Sequence, residues 1–352
     1  MRLLEVEDLT VSFATPDGVV EAVRGLSFGV DEGQTLGIVG ESGSGKSVAT
    51  QTIAGLTRGA TISGRAVFDG EDLLTMSHQE LRWVRGARIG MIFQDPLSSL
   101  HPYYRVGWQI VELIRNHTEL TRREAQARAV ELLGMVGIPQ PEERTRNFPH
   151  QFSGGMRQRA MIAMALALNP KLLVADEPTT ALDVTVQAQI LELMQRLQRE
   201  FGIAIIMITH DLGVVAGMAD EVLVMYAGRA MELADRRELY YRPHHPYTAG
   251  LLNSIPETGH RSEPLRPISG QPPSLIDPPQ GCPFRPRCAY VMDQCTEQPP
   301  LRVIDGGITP HRTACWLPGN YTGYDDASAD RRTAYADAAR TPKVVGAKGG
   351  GQ

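Results

Sequence analysis

The chain has 352 residues, 42% hydrophobic and 21% charged, with 35 Lys and Arg against 40 Asp and Glu. That is an ordinary globular composition, which excludes disorder throughout. The net charge of −5 lacks the positive excess of a surface given over to nucleic acid, so no nucleic-acid partner is expected. At roughly 150 residues per domain, about two domains are expected. The longest apolar run, Ala160 to Leu168, has nine residues, whereas a membrane span needs about 20. Met1 to Asp8 carries acids where a signal peptide needs its apolar stretch. The expectation is a chain on the cytoplasmic side that reaches a membrane only through partners.

The elements then follow in chain order. Leu26, Phe28 and Val30 alternate with smaller or polar residues, Asp31-Glu32-Gly33 turns the chain, and Thr35 to Val39 runs back. This predicts a strand pair with one buried face. A helix is predicted from Val48 to Leu56, and a strand from Ile89 to Phe93. From about residue 98 to 167 the periodicity is helical, with helices at Arg122 to Gly134 and Ala160 to Leu168, so a helical subdomain is expected there. Leu172 to Ala175, Ala204 to Ile208 and Val222 to Met225 are short and apolar at every position, with a helical pattern from Val186 to Arg199 between the first two. Strands apolar on both faces belong in a parallel sheet. The alternation predicts an α/β layer fold.

The strongest local signal is Gly40-Glu41-Ser42-Gly43-Ser44-Gly45-Lys46-Ser47, a phosphate loop between a predicted strand and a predicted helix. Its glycines let backbone N–H groups crowd around phosphate oxygens, and the helix N-terminus adds partial positive charge. Lys46 suits the β- and γ-phosphates, and the Ser47 hydroxyl suits Mg²⁺. A second signal is Leu172 to Pro178, where a buried strand delivers Asp176 and Glu177 to its C-terminal end. Asp176 suits a Mg²⁺ contact, and Glu177 can orient or deprotonate an attacking water. Without the phosphate loop, two solvated acids in a loop would be the better reading. Third, Ser153-Gly154-Gly155 opens a helix and forms another anion site on the same physics. One nucleotide does not need two glycine-rich helix N-termini from one chain, so this one is expected to serve a nucleotide on another chain.

After Tyr240 the texture changes. Eleven prolines lie between Pro243 and Pro286. Each fixes φ and removes a donor, which disfavours long helices and central strands. The expectation is an extension, residues 241–318, that needs something besides a core to hold it. All four cysteines fall there, Cys282, Cys288, Cys295 and Cys315, with gaps of five, six and nineteen residues. Clustered cysteines in a reducing compartment read as metal ligands before disulfides. Spacing alone leaves zinc and an iron–sulfur cluster about even. Residues 319–352 are small and polar, and a mobile tail is expected.

The order of phosphate loop, Gln94, Ser153-Gly154-Gly155, Asp176-Glu177, Asp183 and His210 resembles the nucleotide-binding subunit of ABC transporters. The signature here reads Phe-Ser-Gly-Gly-Met, where that family has Leu-Ser-Gly-Gly-Gln; the flanks depart and the three central residues are intact. The resemblance implies a P-loop ATPase core over residues 1–240, with an antiparallel β subdomain and the inserted helical subdomain. It implies that Gln94 touches Mg²⁺ and the lytic water, that Asp183 crosses a dimer interface, that His210 contacts the γ-phosphate, and that Phe13 stacks on adenine. His245-Pro246-Tyr247-Thr248, Pro272-Pro273 and Gly281 to Cys288 are similar to the oligopeptide/dipeptide importer ATPases, over about Leu3 to Pro318. That branch implies a [4Fe–4S] cluster on the four cysteines, a related second ATPase subunit, two transmembrane permease subunits and an extracytoplasmic peptide-binding protein. From another class, a soluble ABC ATPase of DNA repair or translation stays as the alternative, although paired cassettes, coiled coils and basic arms are missing. A cluster-based redox sensor with a degenerate ATPase is disfavoured by the intact Asp176-Glu177 pair.

Overall fold

A computed structural model describes residues 1–180, 182–254, 268–304 and 310–318; the expected tail lies outside them, as do Pro256, Pro264 and Pro267. Strands β1 (Arg2–Thr15) and β2 (Gly18–Asp31) form a long antiparallel pair. β3 (Thr35–Val39) leads into α1 (Lys46–Ile53). β4 (Ala60–Phe68) and the short β5 (Glu71–Asp72) complete a four-stranded sheet in the order β2-β1-β4-β5. α2 (His78–Ala87) then leads to β6 (Ile89–Ile92).

The predicted pairing of the Leu26–Val30 strand with Thr35–Val39 does not form. β2 buries alternate residues and pairs with β1, whereas β3 is buried at all five positions. A strand apolar on both faces needs cover on both, and β3 finds it between β8 and β9 of the main sheet. The Asp31–Gly33 turn therefore carries the chain from one sheet to the other.

The expected helical subdomain is present and carries no strand among its described residues. It comprises α3 (Pro96–Ser99), α4 (Val106–His117), α5 (Arg122–Met135), α6 (Pro141–Arg144) and α7 (Gly154–Ala165). A capping box between Thr121 and Glu124 starts α5. The apolar run at Ala160 is not a helix of its own. It is the second half of α7, which begins at the glycine signature and ends at Ala165. That run is apolar all round because its residues pack into the core shared by α4, α5 and the sheet.

β7 (Leu172–Asp176), α8 (Val184–Phe201), β8 (Ala204–Thr209), α9 (Leu212–Met218), β9 (Glu221–Tyr226) and β10 (Arg229–Asp235) follow, then α10 (Arg236–Tyr241) and α11 (Pro246–Asn253). A last antiparallel pair, β11 (Arg302–Ile304) and β12 (His311–Thr313), completes the main sheet in the order β11-β12-β10-β9-β3-β8-β7-β6. It is parallel from β9 to β6 and antiparallel from β9 to β11.

The extension therefore differs from expectation. Proline does keep residues 268–300 to isolated 3₁₀ turns among the described residues. Yet β12 pairs with β10 of the ATPase core, so main-chain hydrogen bonds hold the extension. It also shares a core with the sheet, in which Tyr226, Met231, Tyr240, Tyr247, Phe284 and Cys282 are buried together. No helix among the described residues is long and apolar enough to cross a membrane.

Candidate nucleotide site

β3 delivers Gly40 at its C-terminal end. A Cβ on Gly40 would lie 2.1 Å from the Met225 carbonyl oxygen, and one on Gly45 would lie 2.3 Å from that of Ala22. Gly45 also takes φ +97°, which an L side chain resists. Both glycines are thus required by close backbone approach. Ser42 and Gly43 are exposed at the crest of the loop, and Ser44 is buried beneath it. No side chain caps α1, so its first N–H groups keep the partial positive charge that suits an anion. Lys46 is buried, and its ammonium donates to the carbonyls of Gly40 at 2.7 Å and Glu41 at 2.9 Å. Burial draws its pKa down from the ordinary lysine value, against the raising influence of Glu177, Asp176 and Glu41.

The second wall is the end of β7. Ser47 Oγ donates to Asp176 Oδ1 at 2.9 Å, and Gln51, one turn along α1, also reaches Asp176. Burial raises the Asp176 carboxyl above its ordinary value. A divalent cation held by Ser47 and Asp176 would offset that cost, so oxygen donors of this kind fit Mg²⁺.

Glu177 takes a left-handed backbone, φ +47°, a conformation that costs a non-glycine residue about 1 kcal/mol or more. Its amide donates to the Ile208 carbonyl at 2.9 Å, which ties the strained residue to β8. Three side chains meet its carboxylate: Gln94 Nε2 and Thr180 Oγ1, each 2.9 Å from Oε2, and His210 Nδ1, 3.0 Å from Oε1. Burial alone would raise this carboxyl. Hydrogen bonds from His210 and Thr180 and the charges of His210 and Lys46 outweigh it and hold the pKa below the ordinary value. The group is an ionised acceptor, suited to holding a water by its hydrogens.

Gln94, Asp176, Glu177, His210, Lys46 and Ser47 are therefore brought together. Thr180 and Gln51 belong with them and were missed. Gln51 was readable as the residue four after Ser47 on one helix face. Thr180 carries no signal of its own.

Ser153, Gly154 and Gly155 stand apart. Ser153 Oγ accepts from the Met156 amide at 3.3 Å and caps α7, and Ser153 and Gly154 are exposed. No hydrogen bond among the described residues joins them to the phosphate loop. The departing flanks have a packing reason: Phe152 is buried in the helical core, and Met156 packs against it. Asp183 caps α8 by accepting from the Val186 amide at 3.0 Å and is exposed. Phe13 is half-buried on β1, against the core of the antiparallel sheet.

The four cysteines are free thiols that line one small cavity, together with His245, Phe284 and Trp316. Burial pushes Cys282 and Cys315 up to about 11, and neighbouring sulfurs add to both shifts. Among the described residues no group of three or more His, Cys, Asp or Glu is gathered as a site for a metal ion. The four thiols on that one cavity are soft donors of the type a metal–sulfur group takes.

A family described as ABC transporter matches residues 23–180, and one described as oligopeptide/dipeptide transporter, C-terminal region, matches residues 231–295. The chain is 52% identical over 317 residues to the oligopeptide transport ATP-binding protein OppD of Salmonella typhimurium, covering 90% of this chain and 94% of that one. It is 55% identical to OppD of Bacillus subtilis over 322 residues, covering 90% and 89% of the two chains. With the dipeptide transport ATP-binding protein DppD of Bacillus subtilis it shares 48% over 334 residues, covering 94% and 99%. Its fold is similar to a dimeric post-hydrolysis structure of the ATP-binding cassette MJ0796 bound to ADP and Pi. That similarity has a TM-score of 0.61 and 27% identity, over 67% of this chain and 99% of that one.

Proposed function

The chain belongs to the ABC transporter ATP-binding subunits of the oligopeptide/dipeptide type, and on that premise we propose that it hydrolyses ATP to power peptide uptake. One observation carries the reading: Glu177, held by Gln94, Thr180 and His210, stands beside Lys46, Ser47 and Asp176.

The residues divide the work. Backbone amides of Gly40 to Ser47 and the Lys46 ammonium bind the phosphates, and Phe13 stacks on the adenine. Ser47 and Asp176 hold Mg²⁺, with Gln94 as a further contact. Bound Mg²⁺ neutralises phosphate charge and favours departure of the leaving oxygen. Glu177 orients the attacking water and polarises its O–H bond. His210 fixes the carboxylate and meets the γ-phosphate. Gln94 senses both and lies next to the segment up to Leu100, where a permease subunit docks.

Ser153, Gly154, Gly155 and Asp183 serve the nucleotide of a facing cassette. Two cassettes thus sandwich ATP head to tail, the second being a related chain, and two permease subunits and an extracytoplasmic peptide-binding protein complete the importer. The chain sits peripherally on the cytoplasmic face of the membrane. Residues 1–240 form the cassette and 241–318 the extension. Cys282, Cys288, Cys295 and Cys315, which line one cavity, hold a [4Fe–4S] cluster with a structural role, and one zinc ion is the alternative.

Affinity purification of the full chain from gently solubilised membranes tests the reading. Two integral-membrane subunits and a second cassette should co-purify, and the reconstituted complex should hydrolyse ATP faster with peptide-loaded binding protein. Co-purification with nucleic acid or ribosomes instead would overturn it.

A further inference from the structure

Glu41, the second residue of the phosphate loop, points away from the loop's mouth and into the extension. Its amide donates to Tyr247 Oη at 2.9 Å, and its carbonyl accepts from Lys46. Its carboxylate takes both arms of Arg287, with Nη1–Oε2 at 2.6 Å and Nη2–Oε1 at 3.0 Å. Such a fork fixes orientation as well as distance.

Arg287 is itself immobilised. Its five N–H donors are all used: Nε on the Ser269 carbonyl, Nη1 on Glu41 and Tyr226 Oη, and Nη2 on Glu41 and the Ile268 carbonyl. Its side chain is 5% exposed, and the rings of Tyr226 and Phe284 lie 5.7 and 6.0 Å from the guanidinium carbon. Tyr247 is fully buried against the same two rings. The extension thus presents a rigid donor and a rigid acceptor to one residue of an otherwise glycine- and serine-rich loop.

We infer that Arg287 and Tyr247 are positioning residues for ATP binding, acting on the phosphate loop through Glu41. Two physical effects support this. Fixing Glu41 at amide, carbonyl and carboxylate sets the peptide planes that precede the phosphate-facing N–H groups and holds the carbonyl on which Lys46 rests. Loop ordering is thereby completed before nucleotide arrives, which lowers the entropic cost of binding. Arg287 also neutralises a carboxylate carried by the loop that binds the phosphates, which lowers its long-range repulsion of them. Neither residue needs to touch ATP.

The inference rests on the phosphate loop being the nucleotide site, which Lys46→Ala tests separately by abolishing ATP binding. ATP affinity is measured on the full-length chain, and KM and kcat on the assembled complex. Arg287→Gln should weaken ATP binding about tenfold, the loss expected for a charge-assisted pair, and raise KM more than it lowers kcat. Arg287→Lys keeps the charge without the fork and should fall between. Adding Glu41→Gln to Arg287→Gln should recover much of the affinity, because the unpaired carboxylate is gone. A merely structural tie would give no such recovery. If Arg287→Gln folds poorly, Tyr247→Phe and Arg287→Lys carry the test, since both keep the bulk of the packing. Unchanged ATP affinity in those two variants, or no recovery in the double variant, overturns the inference.

Discussion

Gln94 donates a hydrogen bond to Glu177 at 2.9 Å across 83 residues of sequence. The bond joins the end of β6 to the residue after β7, so the helical subdomain that follows Gln94 is tied to the carboxylate. A rotation of that subdomain would move the amide relative to the carboxylate, and docking at the subdomain would thereby be felt at the site of hydrolysis.

Glu177→Gln keeps the size of the side chain and removes its charge. The variant should bind ATP with near-normal affinity and lose turnover at least about a hundredfold. It should also trap a closed pair of cassettes, seen as an ATP-dependent shift in size-exclusion elution. Hydrolysis near the wild-type rate, in a complex whose second cassette carries the same change, would remove Glu177 from its role.

Gly154→Asp tests the two-chain site. A Cβ at Gly154 meets only Leu182 Cδ2, at 3.9 Å, so the variant should fold. Its carboxylate would face the phosphates of the partner's nucleotide and repel them. The isolated chain should keep its own ATP affinity, while ATP-driven pairing and hydrolysis in the complex fall more than about tenfold. Loss of affinity in the isolated chain would mean that the signature acts in cis.

Cys282→Ser removes one thiol from the buried cavity. Anaerobically purified wild type should carry about four irons and matching sulfide, and the variant should lose most of both. Residues 268–304 should become more sensitive to protease, while the cassette core still melts cooperatively because β12 stays paired with β10. One zinc and no sulfide in the wild type would replace the cluster with a single ion.

Asp69 offers a charge test free of backbone change. It sits at φ +51° before Gly70 in the hairpin between β4 and β5, and Asn accepts that conformation equally well. Its carboxylate accepts from Lys171 and Arg88, each at 2.7 Å, and these bonds hold its pKa below the ordinary value. The depressed pKa makes the stabilisation present above the ordinary carboxylate value of about 4 and lost as pH falls through the lower folded value. Asp69→Asn should therefore cost up to about 1 kcal/mol near neutrality. The gap to wild type in denaturant midpoint should narrow as pH falls below the ordinary carboxylate value and close below the lower folded one. A gap that stays constant with pH would assign the effect to something other than ionisation.

The nucleotide site was largely readable because its parts are short motifs at strand ends, where the main chain itself fixes the geometry. Lys46, Ser47, Asp176 and Glu177 needed only a buried strand before them. Glu177's strained backbone is tied by its amide to β8, and β7 lying beside β8 is a pairing that no local pattern encodes. The sheet partners were less legible. Leu26–Val30 and Thr35–Val39 look like a hairpin across a three-residue turn, yet the difference between one-faced and two-faced burial sends them to separate sheets. The extension was misjudged for a related reason: proline density describes residues 268–300 well but says nothing of three-residue β12, too short to register as a strand until β10 supplies its partner.

That short strand changes what a truncation would mean. A chain cut after residue 240 would keep every nucleotide motif of the cassette, but it would leave β10 with a bare row of N–H and C=O groups along its outer edge. An open strand edge is a template for pairing with another chain. The trimmed cassette should be prone to self-association at its flank, so oligomers formed by such a fragment would report the missing cover and not the head-to-tail pairing proposed for the intact subunit.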